Sequence, residues 1–412
     1  MSDNIFPIGF WNVLSATQFG VEGVKDWVDF GATLTMTGFY DLSNDKEEML
    51  KILDECYAKN LKMIFCDRRM TFNYYHREDF LENFKRLISD FADHPAIYGF
   101  WLGDEPYGKQ MDDAVEVVKL FKELCTDKEP YVNLLPWIPQ LNEMGLIASE
   151  TDNYRQEVLD FVKKSGVKIL SYDCYMQMCE ERRGVLDKTA LDSYYYNLNM
   201  FQSVAHETGA ELWYTTLAVG HGMYKCPDQD CFRWEINTAV AHGVKSLFYW
   251  YMYADGYNFN YRYHPIDMLF ERTDTFRYAS AENRIFQQVY GPSFCKLRFE
   301  KAYHAVKSYG GTPLIEEAED ELIKKIETNV GTPMIVSRFS NPDEPDWVYY
   351  AVVNNSQTEA VRADIYFADE EIEVYNIFSS PAHKTRNRRR RGNKYQLYYS
   401  PGQMWVLALK KV

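Results

Sequence analysis

The chain contains 412 residues, 46% of them hydrophobic, which is enough for one large domain with its own core and a second, smaller domain. Its net charge of -15 at pH 7 argues against binding to nucleic acid or to an anionic membrane surface, because both require Lys and Arg side chains that neutralise phosphates. No apolar run approaches the roughly 18 residues of a membrane helix, and the opening "MSDNIFPIGFWNV" lacks the pattern of a secretory signal, so we expect a cytoplasmic protein.

From residue 5 to about residue 308, short apolar runs alternate eight times with longer amphipathic stretches. Stretches such as "EDFLENFKRLISDFADH" place apolar residues at i, i+3, i+4 and i+7, which is typical of a helix packed on a core. The predicted strands begin at Phe6, Ala32, Leu61, Ala96, Tyr131, Val167, Glu211 and Val244. Apolar strands that alternate with helices favour a parallel sheet, and eight β/α units predict an α/β fold, a (β/α)8 TIM barrel, over residues 1–310.

The sequence pattern changes after residue 310. Runs such as "MIVSRFS", "WVYYAVVNN" and "VRADIYFA" read as strands that follow one another without intervening helices. This pattern predicts a small antiparallel β-sandwich domain over residues 311–412. A cluster of arginines, Arg386 and residues 388–391, interrupts these strands, and we interpret it as a solvated hairpin or a loop that faces a partner.

Barrel enzymes build their active sites at the carboxyl ends of the strands, and these ends carry mostly acids and aromatic residues here. Carboxylates surrounded by Trp and Tyr suit a carbohydrate, because aromatic faces stack on sugar rings while acids bind hydroxyls and move protons. The predicted catalytic residues are Glu105, Asp104 and Asp173, and the predicted substrate contacts are Trp11, Asp41, Asp67, Trp137, Tyr175, His221 and Tyr253. For Asp67 and Asp173 a salt bridge to a barrel arginine such as Arg68 is an equal alternative, and His221 also fits an ordinary hydrogen-bonded histidine.

The segment "YGFWLGDEP", residues 98–106, resembles the acid/base strand of clan A glycoside hydrolases, barrels in which an Asn-Glu-Pro tripeptide supplies the proton donor. This resemblance implies that Glu105 is the general acid/base and that Pro106 is the turn residue after it. Two features depart from the clan A pattern. Asp104 stands where Asn is usual, and the seventh strand, "ELWYTTLAVGHGMY", has no carboxylate at its end where the clan A nucleophile belongs.

The adjacent Asp and Glu also resemble the hexosaminidases of glycoside hydrolase families 20 and 123, in which the 2-acetamido oxygen of the substrate attacks the anomeric carbon. That resemblance implies that Asp104 orients the acetamide N–H while Glu105 protonates the leaving oxygen. A mechanism with two carboxylates, the second being Asp173 or Asp67, stays open. So does a structural role for Asp104 and Glu105, as an exposed loop pair or as the N-cap of the next helix.

These observations predict a glycoside hydrolase that acts on a carbohydrate or glycoside without a cofactor. The alternatives are a non-catalytic carbohydrate-binding protein on a glycosidase-like barrel, which the absence of a carboxylate at the end of the seventh strand favours, and a barrel lyase, isomerase or aldolase. The last class usually needs a Schiff-base lysine or metal-binding acids, and no lysine ends a predicted strand. The sequence leaves two points open: the oligomeric state, and a structural zinc site formed by Cys174, Cys179, Cys226 and Cys231, whose loops would be neighbours.

Overall fold

In the computed structural model of this chain, the described residues are 4–40, 46–147, 151–179, 188–256, 260–378, 380–386 and 391–410.

The first three quarters of the chain form a nearly closed barrel of eight parallel strands, which confirms the predicted fold class. The strands of this part are β1 (Ile8–Phe10), β2 (Leu34–Met36), β3 (Lys62–Cys66), β4 (Ile97–Asp104), β5 (Glu129–Leu134), β6 (Ile169–Asp173), β7 (Glu211–Leu217), β8 (Gly220–His221), β9 (Ser246–Trp250) and β10 (Tyr261–Arg262). The barrel order is β1, β9, β7, β6, β5, β4, β3, β2, whereas β8 and β10 form a separate antiparallel ribbon. Each barrel strand corresponds to one of the eight apolar runs.

Side chains complete the contact between the first and second strands. The backbone N–H groups of Ile8 and Phe10 each donate a 3.0 Å hydrogen bond to a threonine hydroxyl, those of Thr33 and Thr35 respectively. A β-carbon on Gly9 would lie 2.1 Å from the carbonyl oxygen of Leu34, so only glycine permits this approach. The strands therefore meet closely here, with threonine hydroxyls as the acceptors of two backbone donors.

Helices cover the outside of the barrel. They are α1 (Ala16–Phe19), α2 (Gly23–Phe30), α3 (Lys46–Ala58), α4 (Phe80–Phe91), α5 (Lys109–Leu124), α6 (Pro139–Glu143), α7 (Thr151–Ser165), α8 (Lys188–Thr208), α9 (Gln229–Ala241), α10 (Asp274–Val289) and α11 (Gly291–Lys296). In α4 the side chains of Phe80, Phe84, Leu87 and Phe91 form one buried stripe. Within the described ranges, every helix is too short or too polar to cross a bilayer.

Antiparallel strands form the C-terminal part of the chain. They are β11 (Arg298–Ala305), β12 (Ile323–Thr328), β13 (Met334–Ser340), β14 (Val348–Asn354), β15 (Val361–Phe367), β16 (Glu373–Phe378), β17 (Ser380–Arg386), β18 (Lys394–Tyr399) and β19 (Met404–Lys410). Sheets of six and three strands pack through a shared apolar core, as in a β-sandwich. Since β11 pairs with β13, sandwich structure begins at Arg298, and the predicted boundary between residues 310 and 311 stays a prediction.

The predicted arginine loop lies between the last strands of the sandwich. Arg386 ends β17 and forms an ion pair with Glu373, in which Nη2 lies 3.2 Å from Oε1. Residues 388–390 lie outside the described residues.

Buried polar side chains connect the barrel helices to the sandwich. The amide oxygen of Asn355 accepts hydrogen bonds from the Tyr195 hydroxyl at 2.5 Å and from Trp234 Nε1 at 3.0 Å. Beside them lie two buried histidines, His242 and His304, with ring centroids 6.1 Å apart. Burial lowers the pKa of His242 to about 4 and also lowers the pKa of His304 well below its usual value, so both rings are neutral at pH 7.

We predict that this histidine pair makes the fold sensitive to acid. In the unfolded chain His242 takes up a proton below about pH 6.5, whereas in the folded chain it stays neutral until about pH 4. The unfolded state then binds more protons, so stability falls as the pH drops through this window, by about 3 kcal/mol for His242. Thermal unfolding between pH 7 and pH 4 should show a smaller pH dependence for His242→Phe than for the wild type.

The exposed His76 supplies the matched control, and His76→Gln should keep the wild-type dependence. An unchanged pH dependence in His242→Phe would show that the buried ring does not resist protonation.

Candidate active site

The two adjacent acids lie where β4 leaves the barrel wall. Glu105 has a φ of +50°, in the left-handed region that a residue with a side chain rarely adopts, and Gly103 has a φ of +140°. A β-carbon on Gly103 would lie 2.2 Å from the Phe72 ring, so this position needs glycine. The Glu105 N–H donates to the carbonyl oxygen of Asn133 at 2.8 Å, which holds the turn. Unusual backbone of this kind is concentrated at functional sites.

Asn133, on β5, connects the acids of two neighbouring strands. In the ladders it lies opposite Asp104 of β4 and opposite Ser171 of β6. Its Nδ2 donates to Asp104 Oδ1 at 3.2 Å and to Asp173 Oδ1 at 2.8 Å, and its own Oδ1 accepts a hydrogen bond from the Ser171 hydroxyl at 2.9 Å. The structure therefore brings the three predicted catalytic residues together, and we call Asp104, Glu105 and Asp173 the carboxyl cluster.

The carboxyl cluster holds protons more tightly than ordinary acids do. Burial and the charge of Glu105 raise the pKa of Asp104, and burial together with both neighbours raises the pKa of Asp173. Desolvation also raises the pKa of Glu105, and the neighbouring Asp173 opposes that effect. The cluster is therefore built to keep a proton near neutral pH.

Aromatic side chains surround the carboxyl cluster. Burial and the charge of the neighbouring Asp173 raise the pKa of the Tyr175 hydroxyl well above its usual value. Tyr261 stacks on His221, with ring centroids 4.3 Å apart and planes 12° apart, and its pKa is raised by burial and by the charges of Asp255 and Glu105. Burial lowers the pKa of His221, so its ring is a neutral hydrogen-bonding group at pH 7. The mouth of the barrel thus offers flat rings beside acids.

Two of the predicted substrate contacts lie deeper than the mouth. Trp11 is only 4% exposed, and its Nε1 donates to the Thr215 hydroxyl inside the barrel at 3.3 Å. Tyr253 is 1% exposed, accepts a 2.8 Å hydrogen bond from Trp27 Nε1 of α2 and stacks on Phe19. Both side chains pack within the apolar core clusters.

The remaining predicted contacts have separate environments. Asp67 is 1% exposed and forms a double ion pair with Arg69, in which Nε lies 2.9 Å from Oδ1 and Nη2 lies 2.6 Å from Oδ2. These contacts are those of a salt bridge to a barrel arginine, the alternative considered for this residue. Trp137 is half-buried and packs edge-on against Tyr196. Asp41 lies outside the described residues.

The four cysteines considered as zinc ligands have separate partners. The thiol of Cys231 lies 3.6 Å from Gln357 Oε1, that of Cys226 lies 3.7 Å from the Thr275 hydroxyl, and that of Cys179 lies 4.0 Å from the sulfur of Met223. Cys174 is buried. Across the described ranges, no three His, Cys, Asp or Glu side chains lie together in a way that could hold a metal ion.

Comparisons with known proteins support the fold. No protein-family model and no curated protein sequence matches this chain. A solved glycoside hydrolase aligns with a TM-score of 0.57 and 10% identity, over 100% of this chain and 96% of its own. A family 5 glycoside hydrolase from Bacteroides vulgatus ATCC 8482 aligns with a TM-score of 0.57 and 10% identity, over 98% of this chain and 89% of its own.

A third solved structure, a β-galactosidase from the psychrophilic Marinomonas ef1, is similar to part of this chain. The match covers 68% of this chain and 59% of the galactosidase, with 10% identity and a TM-score of 0.49. At identities near 10%, the two alignments with TM-scores of 0.57 support the fold and leave the chemistry to the residues of the site. The resemblance to families 20 and 123 stays a prediction.

We predict that the carboxyl cluster destabilises the fold at alkaline pH. Because the folded pKa of Asp173 is raised, the folded state binds more protons than the unfolded state above about pH 4, and stability falls as the pH rises toward that folded pKa. Asp173→Asn removes this charge, so at pH 8 the variant should unfold at a higher temperature than the wild type. The difference should shrink toward pH 4.

The matched control is Asp346→Asn, at a carboxylate that is 78% exposed. Calorimetry at both pH values should show little change for this control. If Asp173→Asn unfolds at a lower temperature than the wild type at pH 8, the charge of Asp173 stabilises the fold.

Proposed function

We propose that this protein is a glycoside hydrolase in which Glu105 is the general acid/base. The observation that carries the proposal is the carboxyl cluster, three acids joined through Asn133 at the carboxyl end of a TIM barrel and bordered by aromatic rings. Active sites of this fold lie at that end. A carboxyl group with a raised pKa keeps the proton that a leaving oxygen needs at neutral pH. Glycoside hydrolases are also among the solved structures with this fold.

The arrangement of acids favours a substrate-assisted reaction. Pairs of catalytic carboxyl groups lie about 5 to 5.5 Å apart in retaining glycosidases and about 6.5 to 9.5 Å apart in inverting ones. Asp173 lies against the Asn133 amide, and its pKa is raised by burial and by the charge of Glu105, so the two acids are close neighbours. Among the described residues of β7, the only carboxylate is Glu211, the exposed first residue at the opposite end of the barrel.

In the proposed reaction the substrate is a 2-acetamido sugar. Its carbonyl oxygen attacks the anomeric carbon as the bond to the leaving oxygen breaks, and Glu105 gives its proton to that oxygen. Asp104 accepts a hydrogen bond from the acetamide N–H, which stabilises the positive charge of the oxazolinium ring. Glu105 then takes a proton from water, whose oxygen attacks the anomeric carbon and opens the ring. Asp173 acts as a positioning residue, because the Asn133 amide connects it to Asp104 and its charge acts on the neighbouring acids.

A panel of 4-nitrophenyl α- and β-glycosides, including 2-acetamido sugars, tests the hydrolase. We expect the wild type to release 4-nitrophenol from at least one of them, and Glu105→Gln to lower kcat/KM about a hundredfold or more because a positioned proton donor is lost. Glu211→Gln is the matched control and should keep full activity.

A panel that stays uncleaved would contradict the hydrolase. If calorimetry then showed sugar binding that Glu105→Gln leaves unchanged, the protein would be a carbohydrate-binding barrel.

The acetamide itself can be tested as the nucleophile. We expect 2-acetamido glycosides to be cleaved in preference to their 2-hydroxy analogues, and rates to fall as fluorine atoms on the acetyl group weaken the carbonyl oxygen. A thiazoline analogue of the oxazolinium ring should inhibit, and Asp104→Asn should slow the acetamido substrates. If 2-hydroxy and 2-acetamido glycosides react equally well and fluorination has no effect, the attacking group belongs to the protein or to water, with Asp173 as the second carboxylate.

A further inference from the structure

A cavity of about 700 Å³ opens at the carboxyl ends of β2 and β3. Phe39 and Tyr40, which follow β2, line one side, and residues 67–69, which follow β3, line another. Sites for small ligands usually measure about 300 to 1,000 Å³. The cavity is therefore large enough for a sugar residue.

This cavity adjoins the strand that carries the carboxyl cluster. The Phe39 ring lies 5.4 Å from the ring of Trp101, which belongs to β4 three residues before Asp104. Trp101 is 8% exposed, and its indole N–H has no hydrogen-bond partner among the described residues. A buried donor of this kind suits a polar ligand atom.

The charges of the described residues that line the cavity do not balance. Among them are three arginines and two aspartates, an excess of one positive charge in a protein whose net charge is -15. Arg69 forms its double ion pair with Asp67. Arg77 forms an ion pair with Asp79, in which Nε lies 3.1 Å from Oδ1. Arg68 has no carboxylate partner among the residues that the structure describes.

Arg68 lies against an aromatic face. Its guanidinium carbon is 4.7 Å from the centre of the Phe39 ring, in a cation–π contact that orients the planar group. Arginine held in this way still presents N–H groups along its edges, and these match the two oxygens of a carboxylate, sulfate or phosphate. The side chain is exposed, so a ligand can reach it.

We propose that Arg68 binds an anionic group of the carbohydrate, so that the substrate is an acidic glycan carrying a carboxylate, sulfate or phosphate. The inference rests on the proposed function for the reaction, but the binding that it describes does not depend on catalysis. Phe39 supplies the flat apolar wall beneath Arg68, and the indole of Trp101, in contact with Phe39, supplies a donor without a partner among the described residues.

Calorimetric titration with matched pairs of oligosaccharides tests this inference on the full chain. The carboxylate pair is trigalacturonate and its methyl ester, the sulfate pair is N-acetyllactosamine with and without a 6-sulfate, and the phosphate pair is mannobiose with and without a 6-phosphate. We expect at least one anionic member to bind about tenfold or more tightly than its neutral partner, as charge-assisted bidentate contacts do. The pair that responds identifies the anion.

Three variants assign that preference to one residue. Arg68→Gln should abolish the preference for the anionic oligosaccharide. Arg68→Lys should keep part of the preference, because the positive charge remains while the paired N–H donors of the guanidinium are lost. Arg77→Gln should leave the preference unchanged, because the Arg77 guanidinium is already paired with Asp79. The inference is overturned if no anionic member binds better than its neutral partner, if none binds at all, or if Arg68→Gln keeps the preference.

The same titrations separate this inference from the hydrolase. Tight binding of an anionic glycan through Arg68 without hydrolysis would support the inference and contradict the enzyme. Hydrolysis of neutral glycosides that requires Glu105 but is unaffected by Arg68→Gln would support the enzyme and overturn the inference.

Discussion

The site depends on the two hydrogen bonds that the Asn133 amide donates. Three carboxyl groups in one place repel one another once they ionise, and burial adds to the cost of each charge. The amide nitrogen carries two hydrogens, and it gives one to Asp104 and one to Asp173. The Ser171 hydroxyl donates to the oxygen of this amide, which orients the amide nitrogen toward the two acids. Glu105 receives nothing from this amide, and it is the most exposed residue of the cluster.

The barrel interior fixes the depth of the site. The space between the strands is filled by the side chains of Trp11, Tyr131, Trp213 and Phe248. The rings of Trp213 and Phe248 are stacked, with their centroids 5.7 Å apart and their planes 17° apart. Rings of this size leave the carboxyl end as the place where a ligand can approach the acids. They also explain why Trp11, at the end of a strand in the sequence, contributes to the core.

The sequence predicted the barrel well because strand and helix periodicity report burial directly. The cluster was partly predictable, since strand ends in a barrel converge and Asp104, Glu105 and Asp173 all end strands. Asn133 was missed because it stands inside an apolar run, although a lone amide in such a strand is a signal that it has polar partners. Tyr253 was predicted to contact substrate, but its side chain is buried in the core. The direction of a side chain just after a strand depends on the local backbone, which the sequence pattern does not reveal.

Asp67 illustrates a contact that local rules foresee. It precedes the short helical turn Arg68–Met70, and its carboxylate caps that turn by accepting the Arg69 N–H at 2.8 Å while it pairs with the Arg69 side chain. An aspartate at this position favours such a cap over a role in binding.

Burial of the carboxyl cluster also affects which substrate can approach it. An ionised cluster would repel an anionic sugar strongly at short range, where little salt lies between the charges. Because burial raises the pKa of all three acids, the cluster carries less negative charge at neutral pH than three ordinary carboxylates. The desolvation that keeps a proton on the acids therefore also weakens the repulsion of an anionic ligand, and among the described residues that line the adjoining cavity Arg68 is the arginine without a carboxylate partner.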